Sequence, residues 1–212
     1  MTTKSKMPPA SAGDRKPKSR SRLSIGAVRS PESTEAILKA ATDILEESGY
    51  KDFTLDAVVA RAGASKPTIY RWWGSKAALI REVYELSGEA SLVIPSTGSL
   101  EQDLNIHLAS LWNWWRTTRS GEALRSFITE IQLKPESLEE FRKIFLPRRE
   151  RSMRRIFEQA LARGEIKDVT AIESAASMLT GMSWLNLLTG NLEATHQIEQ
   201  AVKIVTKGLK AS

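Results

Sequence analysis

The sequence predicts an all-α protein, with an N-terminal three-helix helix-turn-helix unit followed by a larger all-helical domain. Three observations carry this. From residue 31 onward apolar residues recur at helical spacing, and no alternating strand pattern persists. Ser and Thr stand in N-cap positions before several apolar runs, and Gly stands just behind them, which marks helix starts and stops. The 212 residues, 41% hydrophobic and 26% charged, are ordinary globular material and long enough for one large or two modest cores.

Composition also excludes. Without cysteine there is no disulfide, thiolate nucleophile or cysteine-bound zinc, and the two histidines, His107 and His196, are too few and too far apart for a metal cluster. Neither metal nor cofactor is expected. No apolar run approaches the ~20 residues that cross a bilayer, and the N-terminus lacks the apolar region of a secretory signal. A soluble cytoplasmic protein is the expectation.

The net charge of +6 is uneven. Residues 1–30 hold Lys4, Lys6, Arg15, Lys16, Lys18, Arg20, Arg22 and Arg29 against Asp14, a local +7 that leaves the remainder at −1. Rich in Ser and Pro and poor in large apolar groups, this stretch predicts a disordered basic tail. It serves either as an arm that adds phosphate contacts or as a solvated extension.

The elements follow in order. A first helix starts at Ser30-Pro31, buries Ile37, Ala41, Ile44 and Leu45, and ends at Gly49. Thr54 caps a short second helix carrying Leu55, Val58, Val59 and Ala62, which stops at Gly63. Ser65 caps a third helix over 65–72, with Pro67 tolerated in its first turn. Ser75 caps a fourth, whose inner face is Leu79, Ile80, Val83 and Leu86. Pro95-Ser96-Thr97-Gly98 then breaks the chain. Ser99 and Gln102 form a capping box for a helix through Leu104, Leu108, Leu111 and Trp115. Ser120-Gly121 interrupts, a helix over about 122–133 follows, and Ser137 with Glu140 makes a second capping box. Pro147 should kink or split the next segment, which Gly164 ends. Two last helices, about 168–189 and 193–210, flank Gly190-Asn191.

The third helix carries unusual side chains. Ile69 and Trp73, four apart, share a buried stripe, while Lys66, Thr68, Tyr70, Arg71 and Trp72 crowd donors, cations and flat rings onto about two turns. Lys66 can donate to guanine O6 and N7, Thr68 can bond a base edge or touch a thymine methyl, and Pro67 can make apolar contact. Tyr70, Trp72 and Lys76 suit flanking phosphates, and Arg71 suits either job. No acid separates Asp56 from Glu82, so Arg61, Lys66, Arg71, Lys76 and Arg81 form a second basic run. Thr54 and Ser65, which open the two helices of the motif, complete the candidate DNA-binding set.

The stretch Ser33-Thr34-Glu35-Ala36-Ile37-Leu38-Lys39-Ala40-Ala41, then Glu47-Ser48-Gly49-Tyr50, then Ala62-Gly63-Ala64-Ser65-Lys66-Pro67-Thr68-Ile69-Tyr70-Arg71-Trp72-Trp73-Gly74-Ser75-Lys76-Ala77-Ala78-Leu79 resembles the N-terminal domain of TetR-family transcriptional regulators. The resemblance runs without gaps over about residues 33–82. It implies that Tyr70 and Lys76 contact DNA phosphates, that Lys66, Pro67 and Thr68 face bases, and that Trp73 fills a core position usually held by Phe. Pro67 departs from the commoner Gly, Val59 from Ala and Trp72 from His. It further divides the chain into the tail 1–30, a DNA-binding domain 31–82 and an effector-binding and dimerisation domain 83–212.

In that last domain His107, Trp112, Trp115, Phe127, Met178 and Trp184 are the candidate lining of an apolar effector pocket; plain core packing is the competing reading. Two apolar faces, Ile172, Ala176, Leu179 and Leu187, and Ile198, Val202, Val205 and Leu209, suit either a two-fold four-helix interface or internal packing. The cluster Arg148, Arg149, Arg151, Arg154 and Arg155 reads as a solvated or interface face, with anion binding as its alternative. No phosphate loop, nucleophile elbow or metal-ligand spacing favours an enzyme. The expected protein is a homodimeric regulator, a repressor released from a palindromic operator on double-stranded DNA by a small-molecule effector. An activator, a ligand-independent DNA binder, and a helical carrier or enzyme that never meets DNA are the alternatives.

Overall fold

The computed structural model describes residues 30–211 other than 93, 133 and 168, so the tail expected over 1–30 lies outside the described residues apart from Ser30. Those residues form ten α-helices and no strand: α1 Pro31–Asp52, α2 Leu55–Ala62, α3 Lys66–Trp73, α4 Lys76–Ser91, α5 Leu100–Thr117, α6 Ser120–Ile131, α7 Pro135–Glu140, α8 Leu146–Ala162, α9 Ala171–Leu188 and α10 His196–Ala211. The all-α class read from periodicity is the observed one.

Two cores organise them. Ile37, Ala41, Ile44 and Leu45 of α1 meet Phe53, Val58, Ile69, Trp73, Leu79, Ile80 and Val83, and Ala123 of α6 closes this first core. The second, larger core is built by α5, α6 and α8–α10 around Trp112, Phe145 and Phe157. Helix α4 belongs to both, since Leu79, Ile80 and Val83 enter the first core while Ala77 and Tyr84 enter the second. A boundary at residue 82 therefore falls inside one continuous helix. Leu86, expected on its inner face, is 48% exposed, because α4 has by then turned its buried side toward Tyr84.

Several elements differ from expectation for identifiable reasons. Gly49 does take a positive φ of 74°, but the chain adds a further helical turn to Asp52. The expected capping box at Ser137 is displaced: Pro135, with its fixed φ, opens α7 after Lys134, and Ser137 lies inside the helix. Pro147 neither splits nor sharply breaks the chain. The residues ahead of it, Phe141–Phe145, form a widened π turn in which Leu146 N–H bonds the Phe141 carbonyl, and Pro147 sits in the first turn of α8, where its missing donor is harmless. Helices α9 and α10 start at Ala171 and His196, three residues later than expected.

Gly121 is a contact rather than a break. It is buried in the first turn of α6, and a Cβ built on it would stand 2.4 Å from the carbonyl oxygen of Trp115. Only glycine lets α6 pass so close to the end of α5. Gly121→Ala gains under ~1 kcal/mol of helix propensity but forces backbone apart at a cost of about 1–3 kcal/mol, so thermal unfolding should show a net loss; an unchanged melting temperature would contradict this.

The apolar faces read for an interface are internal. Ala176, Leu179, Leu187, Ile198, Val202 and Leu209 are buried within the chain, with Ile172 and Val205 packed against them. The exposed apolar residues are instead Met178, Leu185 and Leu188 of α9 and Ile204 of α10. Helix α9 carries apolar residues on its outer face as well as its inner one, so apolar character alone does not say which of them turn inward. Met178, expected in the effector pocket, is 67% exposed on this outer face. Among the described residues no helix is long and apolar enough to cross a membrane.

Candidate nucleic-acid interface

A tight turn and two caps present α3. Gly63 adopts φ 62°, ψ 24°, a left-handed conformation that glycine takes without Cβ strain, and ends α2. Thr54 Oγ1 accepts the Ala57 N–H at 3.1 Å to open α2. Ser65 Oγ accepts the Thr68 N–H at 3.3 Å to open α3, and the same hydroxyl lies 2.8 Å from Thr68 Oγ1. Thr54 and Ser65 therefore act here as caps.

Burial then divides α3 cleanly. Ile69 is fully buried and Trp73 nearly so, with Trp73 Nε1–H donating to Glu82 at 2.5 Å. Ser65, Lys66, Pro67, Tyr70 and Arg71 are exposed, and Thr68 and Trp72 are half-buried. Trp72 packs edge-on against Trp73 at 5.8 Å, so its ring braces the helix as well as reaching the surface. Lys66 pairs with Asp56 of α2 at 2.7 Å, a carboxylate that raises the pKa of its ammonium. Both partners are exposed, and such a pair is weak enough to yield to a stronger acceptor.

Lys76 is more enclosed than a free surface clamp. Its ammonium donates to the Tyr50 carbonyl at 3.0 Å and lies 4.1 Å from the centre of the Tyr50 ring. Burial lowers its pKa, with the Glu130 charge opposing. An ammonium has three N–H donors, so capacity for a phosphate remains. Tyr50 in turn donates its O–H to Glu130 of α6. Burial would raise the Glu130 carboxyl, but the bonds from Tyr50 and Lys134 outweigh it and hold the pKa below its usual value. Sequence reading missed this tie, because its partners lie far apart in the chain. Arg81 to Glu140 at 2.5 Å and Arg148 to Glu85 at 2.9 Å further join α4 to the C-terminal helices.

The C-terminal domain holds a cavity of about 320 Å³ beside α4. Of the six residues expected there, His107, Trp115 and Trp184 line it. Trp112 and Phe127 are buried in the surrounding core without reaching its wall, and Met178 lies outside it. Sequence reading missed Tyr84, Leu124 and Met153 in the wall. Trp115 Nε1–H donates to the Tyr84 hydroxyl at 2.7 Å, and burial pushes the Tyr84 pKa up to about 12, against Arg149 and Trp115.

Known proteins match both parts. Residues 37–83 match the family described as bacterial regulatory proteins, tetR family, and residues 94–205 match the tetracyclin repressor-like, C-terminal domain. An uncharacterized HTH-type transcriptional regulator, YdeS, of Bacillus subtilis (strain 168) is 32% identical over 188 residues, covering 88% of this chain and 94% of its own. The DNA-binding transcriptional repressor TetR of Mycobacteroides abscessus is 42% identical over 71 residues, 32% of this chain and 37% of its own. The crystal structure of the TetR family transcription regulator SCO0332 superposes with a TM-score of 0.75 at 24% identity, over 84% of this chain and 98% of that one.

Proposed function

We propose that this chain, which belongs to the TetR family of transcriptional regulators and so is a non-enzymatic DNA-binding protein, acts in the cytoplasm as a homodimeric repressor released from a palindromic operator by a small molecule. The observation that carries the reading is the two-faced α3: Ile69 and Trp73 anchor it, and Lys66, Pro67, Tyr70 and Arg71 face outward together. In this reading Lys66, Pro67 and Thr68 meet base edges while Tyr70 and Lys76 hold phosphates.

The dimer forms through α9 and α10, where Met178, Leu185, Leu188 and Ile204 leave apolar surface exposed. Gly181 and Gly208 open space beside it for close helix approach. Two copies of α3 then enter successive major grooves about 34–36 Å apart. An effector in the cavity beside α4 shifts that separation in proportion to its differential affinity for the two states, about 1.4 kcal/mol for each tenfold change in DNA affinity. Repression rather than activation is supported by the repressor from Mycobacteroides abscessus, whose match lies at 42% identity.

The test is a salt titration with duplex DNA. Tyr70→Phe with Lys76→Ala should weaken binding to every duplex, and loss of one Lys contact in each subunit should flatten the dependence of log K on log salt by about two. An unchanged slope in a variant with unchanged melting temperature overturns the phosphate roles.

A further inference from the structure

The DNA-binding reading leaves the arginines of α8 unused. Arg148, Arg149, Arg151 and Arg155 all border the cavity beside α4. Among the described residues the one carboxylate paired with any of them is Glu85, on Arg148 at 2.9 Å. Arg149 lies deepest of the four, half-buried where the others are exposed. Its guanidinium donates to the Tyr84 hydroxyl and sits 5.3 Å from the centre of that ring, while its Nε is buried without a hydrogen-bond partner among the described residues. Its Nη1 passes 2.6 Å from where a Cβ on Gly88 would stand, so glycine at 88 is what admits the guanidinium against α4.

A guanidinium held partly out of water without an anion is unfavourable and draws one in. A carboxylate is a matching acceptor, because a planar fork of N–H donors meets its two oxygens in parallel. The rest of the wall mixes the apolar Leu111, Trp115, Leu124, Met153 and Trp184 with the polar His107, Ser152, Thr180 and Ser183. We propose that the cavity binds an amphipathic organic anion, with a carboxylate on Arg149 and an apolar body against Trp115, Leu124 and Trp184. This rests on the effector-site reading above and adds the charge class of the effector.

Arg148, Arg151 and Arg155, at successive turns of α8, line the mouth with positive charge that raises the local concentration of an anion. A ligand carboxylate that also engages Arg148 takes it from Glu85, whose side chain is only 11% exposed and whose Oε1 already lacks a partner. Glu85 is on α4, the helix that continues from the α3 turn. Occupancy is thereby felt where the DNA-binding unit is attached.

The experiment titrates the full chain with three isosteric series, naphthyl, biphenyl and decyl, each carrying a carboxylate, a hydroxyl or an amine, and follows Trp fluorescence and melting temperature. The carboxylates should bind at least tenfold more tightly than their alcohols and amines. Arg149→Gln should remove that preference, and the exposed Arg151→Gln should weaken carboxylate binding severalfold at unchanged stability, which separates recognition from folding. Alcohols or amines binding as tightly, or carboxylate affinity unchanged in both variants, overturns the anionic class while leaving the effector site intact. No binding by any compound of any series overturns the effector site as well.

Discussion

Lys66→Ala should lower affinity for the selected operator by on the order of a hundredfold or more, while binding to random duplex falls only slightly. A good base-edge contact discriminates by roughly tenfold or more, and a homodimer makes it twice. The cost of freeing the ammonium is small, because its 2.7 Å partner Asp56 is an exposed carboxylate on the neighbouring helix. Thr68→Ala should act more locally. Its hydroxyl is shared with the cap at Ser65, 2.8 Å away, so the variant relaxes preference at one base position and loosens the start of α3 slightly. Binding of operator and random duplex compared at one salt concentration decides the matter. Equal losses on both would make Lys66 a phosphate contact.

Phe145→Ala should cost about 3–5 kcal/mol of stability. Phe145 is fully buried, with ring centres of Phe141, Phe127 and Tyr84 at 5.1, 5.5 and 5.9 Å. These partners come from the π turn, α6 and α4, so Phe145 ties three elements together. A domain has only about 5–15 kcal/mol to lose, so the melting temperature should fall by roughly 10 °C, and the cavity beside Tyr84 should lose ligand affinity with it. A shift of 2 °C or less in thermal unfolding would show that the aromatic cluster repacks and is not a keystone of the second core.

What the sequence displays well is local. Thr54, Ser65, Ser75 and Ser99 cap the helices they stand before, because a cap needs only a hydroxyl and an N–H three residues on. The division of α3 into an anchored face and an outward face is likewise a matter of period alone. Competing local signals were harder: Pro135 took the helix start that Ser137 and Glu140 also offered, and Gly121, which reads as a break, is a close helix contact. Nothing in the chain's spacing pairs Tyr50 with Glu130 or brings Arg149 against Gly88, since these meet only once the two cores have formed around α4. Met178 shows the remaining limit, for α9 carries apolar residues outside its buried face as well as on it, and apolar character alone does not say which of them line a cavity.

The proposed two-fold dimer, reading DNA with paired α3 helices, can be put to the test by selecting bound sequences from random duplex DNA with the full chain. A palindrome whose half-site centres lie about one helical turn apart, or a whole multiple of it, should be enriched, and Lys66→Ala should lose that enrichment. Recovery of bound DNA with no palindromic enrichment would contradict the proposed dimer.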